Sequence, residues 1–149
     1  MITIRKAIQA DIPEIILLVR ELALFEKAPD EVTVTEADYL TNGFNDNRLF
    51  DCNLAYYDGD LVGFILWYFR FSTWKGKRLY LEDLYVRDQY RGLGIGKLLL
   101  NKAIEEAKLT QCTGLMWQVL EWNEPAIEFY KKYNAQLDGE WINVNLSIK

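Results

Sequence analysis

Arg91-Gly92-Leu93-Gly94-Ile95-Gly96 sits where the chain changes from strand-like to helix-like. The run before it, Arg78-Leu79-Tyr80-Leu81-Glu82-Asp83-Leu84-Tyr85-Val86, reads as a strand, and the run from Lys97 to about Lys108 reads as a helix. A glycine-rich turn between a strand and a helix leaves several backbone N–H groups unpaired and pointing one way. That is an anion site, and a pyrophosphate fits it. Glycines there keep side chains out of the ligand's approach. On the loop alone, a glycine turn that binds nothing is an equal reading. The spacing excludes two alternatives. Leu98 follows Lys97, so the hydroxyl that a P-loop offers to magnesium is missing. The glycines run G-x-G-x-G, not the G-x-G-x-x-G of a dinucleotide-binding turn. What remains is R-x-x-G-x-G, from Arg91 through Gly94 to Gly96.

About thirty residues later comes Glu121-Trp122-Asn123-Glu124-Pro125-Ala126-Ile127-Glu128-Phe129-Tyr130. Asn123 suits an N-cap and Pro125 the first turn of a helix. Ala126, Phe129, Tyr130 and Tyr133 are spaced to share one face. By itself this is a capped amphipathic helix with two core aromatics. Together, R-x-x-G-x-G and N-x-x-A-x-x-F-Y, in this order and at this distance, resemble the GCN5-related N-acetyltransferases. The likeness runs from Ile4 to about Trp141. Leu79-Tyr80-Leu81-Glu82-Asp83, Tyr90 to Gly96, Glu21-Leu22-Ala23 and Phe64 to Phe69 resemble the spermidine/spermine branch. Phe25-Glu26-Lys27 and Ser72-Thr73-Trp74-Lys75-Gly76 lean toward its thialysine acetyltransferase relatives.

Periodicity along the chain agrees with such a fold. Thr3 to Ala7 reads as a first strand. Asp11 is expected to cap a helix whose apolar face is Ile12, Ile15, Ile16, Val19, Leu22 and Ala23, with Glu14 completing a box-like start. Thr35 with Asp38 opens a shorter helix to about Asn42. Cys52 to Tyr57 and Leu61 to Phe71 form a hairpin around Asp58-Gly59, a tight-turn signal. A turn at Ser72 to Lys77 leads into the fourth strand, Leu79 to Val86. Ile95, Leu98, Leu99, Ala103, Ile104 and Ala107 make the core stripe of the long helix. Gly114 to Leu120 is expected as a fifth strand, Asn123 to Tyr133 as the last helix and Trp141 to Ile148 as a final strand. Helices between strands make this α/β with a mixed sheet. The length of 149 residues reads as one domain, 1–149; the resemblance adds that it is an N-acetyltransferase domain whose sheet is mostly antiparallel, flanked by helices, with splayed fourth and fifth strands. Asn134 stands where the family often has glycine; asparagine also tolerates the left-handed helix cap.

Composition narrows the chemistry further. There is no histidine, which removes Ser-His and Cys-His nucleophile systems and histidine-containing metal sites. No metal is expected. Cys52 and Cys112 form no C-x-x-C pair, and nothing resembles a signal peptide or a transmembrane span, so a cytoplasmic location is expected. The net charge is −5 and it is uneven. From Asp11 to Asp60 twelve acids face three bases, whereas from Arg87 to Lys102 four bases face one acid. A cationic substrate and an anionic cofactor would account for both, as would ordinary surface scatter. The acidity argues against nucleic acid as a partner.

An amine nucleophile arrives at pH 7 as ammonium and must lose a proton; the leaving thiolate benefits from gaining one, and the oxyanion between needs donors. Glu82 is the candidate base, through a water; the resemblance supports it through the L-E-D context. Asp83 is expected on the opposite face, because strand side chains alternate. The resemblance implies Tyr130 as the acid at the sulfur of acetyl coenzyme A. It implies that Leu84, Tyr85 and Val86 offer backbone groups to the pantetheine arm. Arg91, Gly92, Leu93, Gly94, Ile95, Gly96 and Lys97 would hold the pyrophosphate. Asn123 would bond the pantetheine or orient its helix, with Ala126 and Tyr130 on the same cofactor side. Phe25, Glu26, Trp74 and Glu82 are the implied substrate-side residues. The polyamine enzymes have a tyrosine where Phe25 stands and Asp-Pro where Ser72-Thr73 stand. The lost acid favours a shorter, lysine-like amine over a long polyamine. The two cysteines lie away from the glycine loop, which favours direct transfer over an acyl-enzyme. Acetylation of a protein or peptide amine, and a noncatalytic coenzyme A-binding module, remain alternatives. The family likeness implies a homodimer, and the shortness of every apolar stretch gives no reason to expect a membrane partner.

Overall fold

The computed structural model describes residues 1–148. Its contacts divide into two units, Met1–Gln118 and Val119–Lys149. The first unit holds β1 (Ile2–Lys6), α1 (Ile12–Phe25), α2 (Glu36–Gly43), β2 (Asp51–Tyr57), β3 (Asp60–Ser72), β4 (Gly76–Val86), α3 (Ile95–Leu109) and β5 (Gly114–Met116). The five strands lie in the order β1-β2-β3-β4-β5, antiparallel except for the parallel β4–β5 pair. This is the α/β mixed sheet that the sequence implies.

Local chemistry accounts for the element ends. Asp58 and Gly59 both have positive φ, 49° and 90°, as a two-residue hairpin with the twist of its strands requires. Thr35 and Asp38 form the reciprocal cap of α2. At α1 the expectation fails. Asp11 makes no cap bond to the helix. Its carboxylate instead takes both terminal nitrogens of Arg5, at 2.8 and 2.9 Å, and the N–H of Ile8 at 2.8 Å. A bidentate guanidinium is a stronger partner than one helix N–H, so the aspartate turns back toward β1.

The core has one layer on each face of the sheet. On one face Ile15, Leu18 and Leu22 of α1 pack on Cys52, Leu54, Phe64 and Leu66, with Tyr39 of α2 and Tyr85 partly buried beside them. On the other, α3 buries Ile95, Leu99, Leu100, Ala103 and Ala107, against the face of β3 and β4 that carries Ile65, Trp67, Leu79 and Leu81. Leu18 and Leu100 are fully buried although the expected stripes omitted them, and Leu98, expected inside, is exposed.

Two irregularities in β4 shape the candidate site. The register steps from Leu66↔Asp83 to Trp67↔Leu81, leaving Glu82 without a partner in β3. That is a β-bulge, and it resets the alternation of side chains. Leu66 and Trp67 face opposite ways, so Asp83 and Leu81 do too. Pairing with β5 covers only Arg78, Leu79 and Tyr80. The fifth strand stops at Met116 instead of reaching Leu120, and among the described residues no strand lies beside the β4 edge from 81 to 86. This gives the expected parting of the fourth and fifth strands.

The second unit contains α4 (Glu124–Lys131). Asn123 caps it by accepting the Ala126 N–H at 3.4 Å, and Pro125 lies in its first turn. Asn134 adopts φ 58°, the left-handed conformation expected of it. The strand expected from Trp141 to Ile148 is not formed. Ile142, Val144, Leu146 and Ile148 alternate, yet all are highly exposed. Alternation chooses the faces of a strand; only a partner edge makes the segment one.

Candidate active site

The glycine loop joins β4 to α3. Gly94 is the N-cap of α3 with φ 86°, and Gly92 has φ 81°. No side chain caps the helix, so the N–H groups of residues 95–97 are left to a ligand. A Cβ built on Gly92 or Gly94 would meet no atom within 4 Å, so the space on that side is open. A pyrophosphate fits such a cradle: left-handed backbone, clear approach and an unsatisfied helix start. Leu93 and Lys97 are exposed on the loop and Ile95 is buried beneath it.

Arg91 shapes the loop from within. Its Nε donates to the Val86 carbonyl at 2.9 Å and its Nη1 pairs with Asp88 at 2.7 Å. Its guanidinium also lies over two rings, 4.9 Å from the Phe25 centroid and 5.8 Å from that of Tyr85. Phe25, expected on the substrate side, is thus placed under the loop arginine at the end of α1. Leu84, Tyr85 and Val86 lie on the open edge of β4. The Tyr85 hydroxyl donates to Glu21 at 3.2 Å, and Arg87 grips the same carboxylate through two bonds of 3.0 and 2.8 Å.

The bulge gathers the acids. Glu82 accepts the Tyr68 hydroxyl at 3.2 Å. Tyr68 shares a face with Leu66, and Leu66 opposes Asp83. Glu82 and Asp83 therefore lie on one face, contrary to simple alternation, because the unpaired residue breaks the two-residue period. Glu26, which follows α1, adds its field to the same place. Burial, then Glu82 and Glu26, push the Asp83 carboxyl from its ordinary 3.8 up to about 7. Burial also raises Glu26. Tyr39 of α2 is pushed up to about 12 by burial first, with Asp83 and Glu82 among the charges that add to it. Asp83 is the group that the sequence alone does not single out. Only the bulge reveals it, and the sequence gives no sign of a bulge beyond two adjacent acids in an apolar strand.

Trp74 is not brought to this cluster. It stands at the tip of the β3–β4 hairpin, 81% exposed, about 20 Å along the strand from Glu82. In the second unit, Asn123 spends its side-chain oxygen on capping, so of its two expected uses the structure displays helix orientation. Ala126 and Tyr130 are half-buried on α4, and the Phe129 ring lies 5.6 Å from those of both Tyr130 and Tyr133.

A sheet parted at its fourth and fifth strands, with an uncapped glycine loop at the head of the following helix, is the frame of an acyl-coenzyme A transferase. The model of the acetyltransferase (GNAT) family matches residues 16–135, and the chain belongs to that family. It is therefore an acetyltransferase of the kind that uses acetyl coenzyme A as cosubstrate. It is 39% identical over 143 residues to a thialysine N-epsilon-acetyltransferase of Bos taurus, covering 91% of this chain and 84% of that one. It is 42% identical over 139 residues to spermidine/spermine N(1)-acetyltransferase-like protein 1 of Homo sapiens, covering 89% of this chain but 20% of the longer human one. Among solved structures, an aminoglycoside acetyltransferase from an uncultured soil metagenomic sample superposes with a TM-score of 0.82 at 18% identity, covering 99% of each chain. That likeness is one of fold.

The raised Asp83 gives a signed expectation. A carboxyl whose folded pKa lies above its unfolded value favours folding at low pH and loses that contribution as pH rises from about 3.8 to about 7. Asp83→Asn should therefore raise thermal stability at pH 8, by roughly 1 to 3 kcal/mol, and change it little at pH 4. Melting curves at the two pH values check this. An equal shift at both would show that the asparagine repacks the site and relieves no buried charge.

Proposed function

We propose that the chain transfers an acetyl group from acetyl coenzyme A to the primary amine of a small molecule by direct attack. The observation that carries the reading is the carboxylate pair which the bulge sets on one face of β4, four residues before the strand end that opens into the uncapped loop. A general base beside an activated acyl donor is what an ammonium nucleophile needs. Residues 92–97 would hold the pyrophosphate, and the free β4 edge at Leu84, Tyr85 and Val86 would pair with the pantetheine arm as a strand does. Acetyl coenzyme A supplies the activated thioester. Glu82, through a water, takes the proton of the substrate ammonium, and Asp83 beside it holds a carboxyl near neutrality. The amine lone pair forms the new C–N bond. A backbone N–H on the β4 edge stabilises the oxyanion. The C–S bond breaks, and Tyr130 gives its phenolic proton to the departing thiolate, with Asn123 and Ala126 orienting that helix.

The names of the relatives specify thialysine and spermidine/spermine. Of these, the reading favours a short, lysine-like amine, because Ser72 stands where the polyamine enzymes carry an acid. Glu26, with Phe25 beside it at the end of α1, is the further substrate-side part under this reading, which leaves out Trp74 at the distant hairpin tip. The chain acts as one acetyltransferase domain, in the cytoplasm, without a nucleic-acid or membrane partner. Among the described residues no helix is long and apolar enough to cross a membrane. A homodimer fits the exposed aromatic hairpin tip at Phe71 and Trp74. Small-angle scattering at tens of micromolar should return twice the chain mass, and a monomer mass would count against it.

Coenzyme A release across a panel of amines and peptides tests the activity, with turnover of lysine-like amines above spermine as the expected result. Gly94→Asn tests the loop. Asparagine tolerates the left-handed backbone but fills the open space, so coenzyme A affinity should fall at least tenfold, about 1.4 kcal/mol, with little change in melting temperature. Unchanged affinity would remove the loop from the site. Tyr130→Phe keeps the ring and the fold. It should lower kcat and kcat/KM together, by roughly tenfold to a thousandfold, with little change in the KM for acetyl coenzyme A. Wild-type kcat in that variant would leave the tyrosine a packing residue and water the acid.

A further inference from the structure

The face of β3 and β4 that carries Glu82 is charged oppositely at its other end. Leu66, Tyr68 and Arg70 alternate onto this face, with Tyr80 opposite Tyr68 and Arg78 opposite Arg70. The Tyr68 and Tyr80 rings lie against each other, centroids 5.3 Å apart and tilted by 32°. At one end of this pair the Tyr68 hydroxyl donates to Glu82, with Asp83 and Glu26 close by. At the other end the Arg70 guanidinium sits over the Tyr80 ring, 5.3 Å from its centroid. Among the described residues its Nη1 has only the Met116 sulfur, at 3.5 Å, a weak acceptor. Arg78 beside it donates to the Leu115 carbonyl at 3.3 Å. Neither arginine has a carboxylate partner among the described residues. Both phenols feel both ends: burial is the largest influence on each, Glu82 raises them and Arg70 lowers them.

We infer that Arg70 receives the carboxylate of an amino-acid substrate whose side-chain amine reacts at Glu82. This rests on the small-amine reading and names its substrate class. A guanidinium fixed over an aromatic face keeps its planar fork of donors free, and that fork matches a carboxylate. The two tyrosine rings between the charges offer an apolar strip to a methylene stem. The ammonium end finds three carboxyl groups; the carboxylate end finds two arginines. A diamine placed the same way would set its second ammonium against Arg70 and Arg78. The arginine therefore selects for amino acids and against polyamines with one charge.

Steady-state kinetics with lysine and with 1,5-diaminopentane, which is lysine without its carboxylate, test the assignment. The wild-type enzyme should favour lysine. Arg70→Leu should lower kcat/KM for lysine roughly ten- to a hundredfold, the scale of a charge-assisted hydrogen bond, and leave that for the diamine unchanged or higher. Arg70→Lys should recover part of the loss, and Arg70→Glu should reverse the preference. Arg70 is exposed, so these variants should fold, which circular dichroism checks. Equal losses on both substrates, or unchanged lysine kinetics, would overturn the role of Arg70. A wild-type preference for the diamine would overturn it too and leave the small-amine reading intact. Release of coenzyme A with peptide amines but with neither probe would overturn the small-amine reading and this inference together.

Discussion

One extra residue in β4 gathers the acids of the first unit on one face. In an even strand Glu82 and Asp83 would face opposite layers, and one of them would lie under α3 among Leu99, Leu100 and Ala103. The bulge avoids that by leaving Glu82 unpaired, so both acids emerge on the face that also carries Tyr68 and Tyr80. Neighbouring carboxyl groups on one partly buried face cannot all ionise freely. The result is a group held near neutrality, Asp83, which an unbulged strand would not have produced.

The frame around this cluster is held by charge pairs at the end of α1. Arg87, just past β4, grips Glu21 through two bonds, and Tyr85 adds a third to the same carboxylate. One turn later Phe25 lies under Arg91 of the glycine loop, and the charge of Glu26 is felt by Asp83. The end of α1 therefore touches both the anion cradle and the acidic cluster.

Much of this was legible in the sequence where the information is local. Asp58-Gly59 specifies its turn, Thr35 and Asp38 their cap, Asn123 and Pro125 the start of α4, and the glycines of the loop a clear approach for a ligand. In each case the residues that decide the conformation lie within four positions of one another. What failed was decided elsewhere in the chain. Asp11 looks like a cap until Arg5 is beside it. Leu18 and Leu100 fall outside a tidy stripe because a helix packed on a twisted sheet buries a wider band than its periodicity marks. Trp141 to Ile148 alternates without a partner edge. The bulge at Glu82 follows from the match of β4 to β3, which no run within β4 records.

Arg70 marks the same limit from the other direction. In the sequence it is one more base on a hairpin. In the fold it is a cation held over Tyr80, with a thioether in place of an acid and Arg78 at its side. Two like charges opposite one another on adjacent strands are unfavourable, so the arrangement costs stability unless something negative joins it. The acids that could have neutralised them are gathered at the far end of the same face, beyond the two tyrosine rings. A sheet face with its charges separated in this way stays polarised, and the ligand that relieves both ends at once is itself dipolar. An amino acid with an amine at the end of its side chain has that form; a polyamine, cationic throughout, does not.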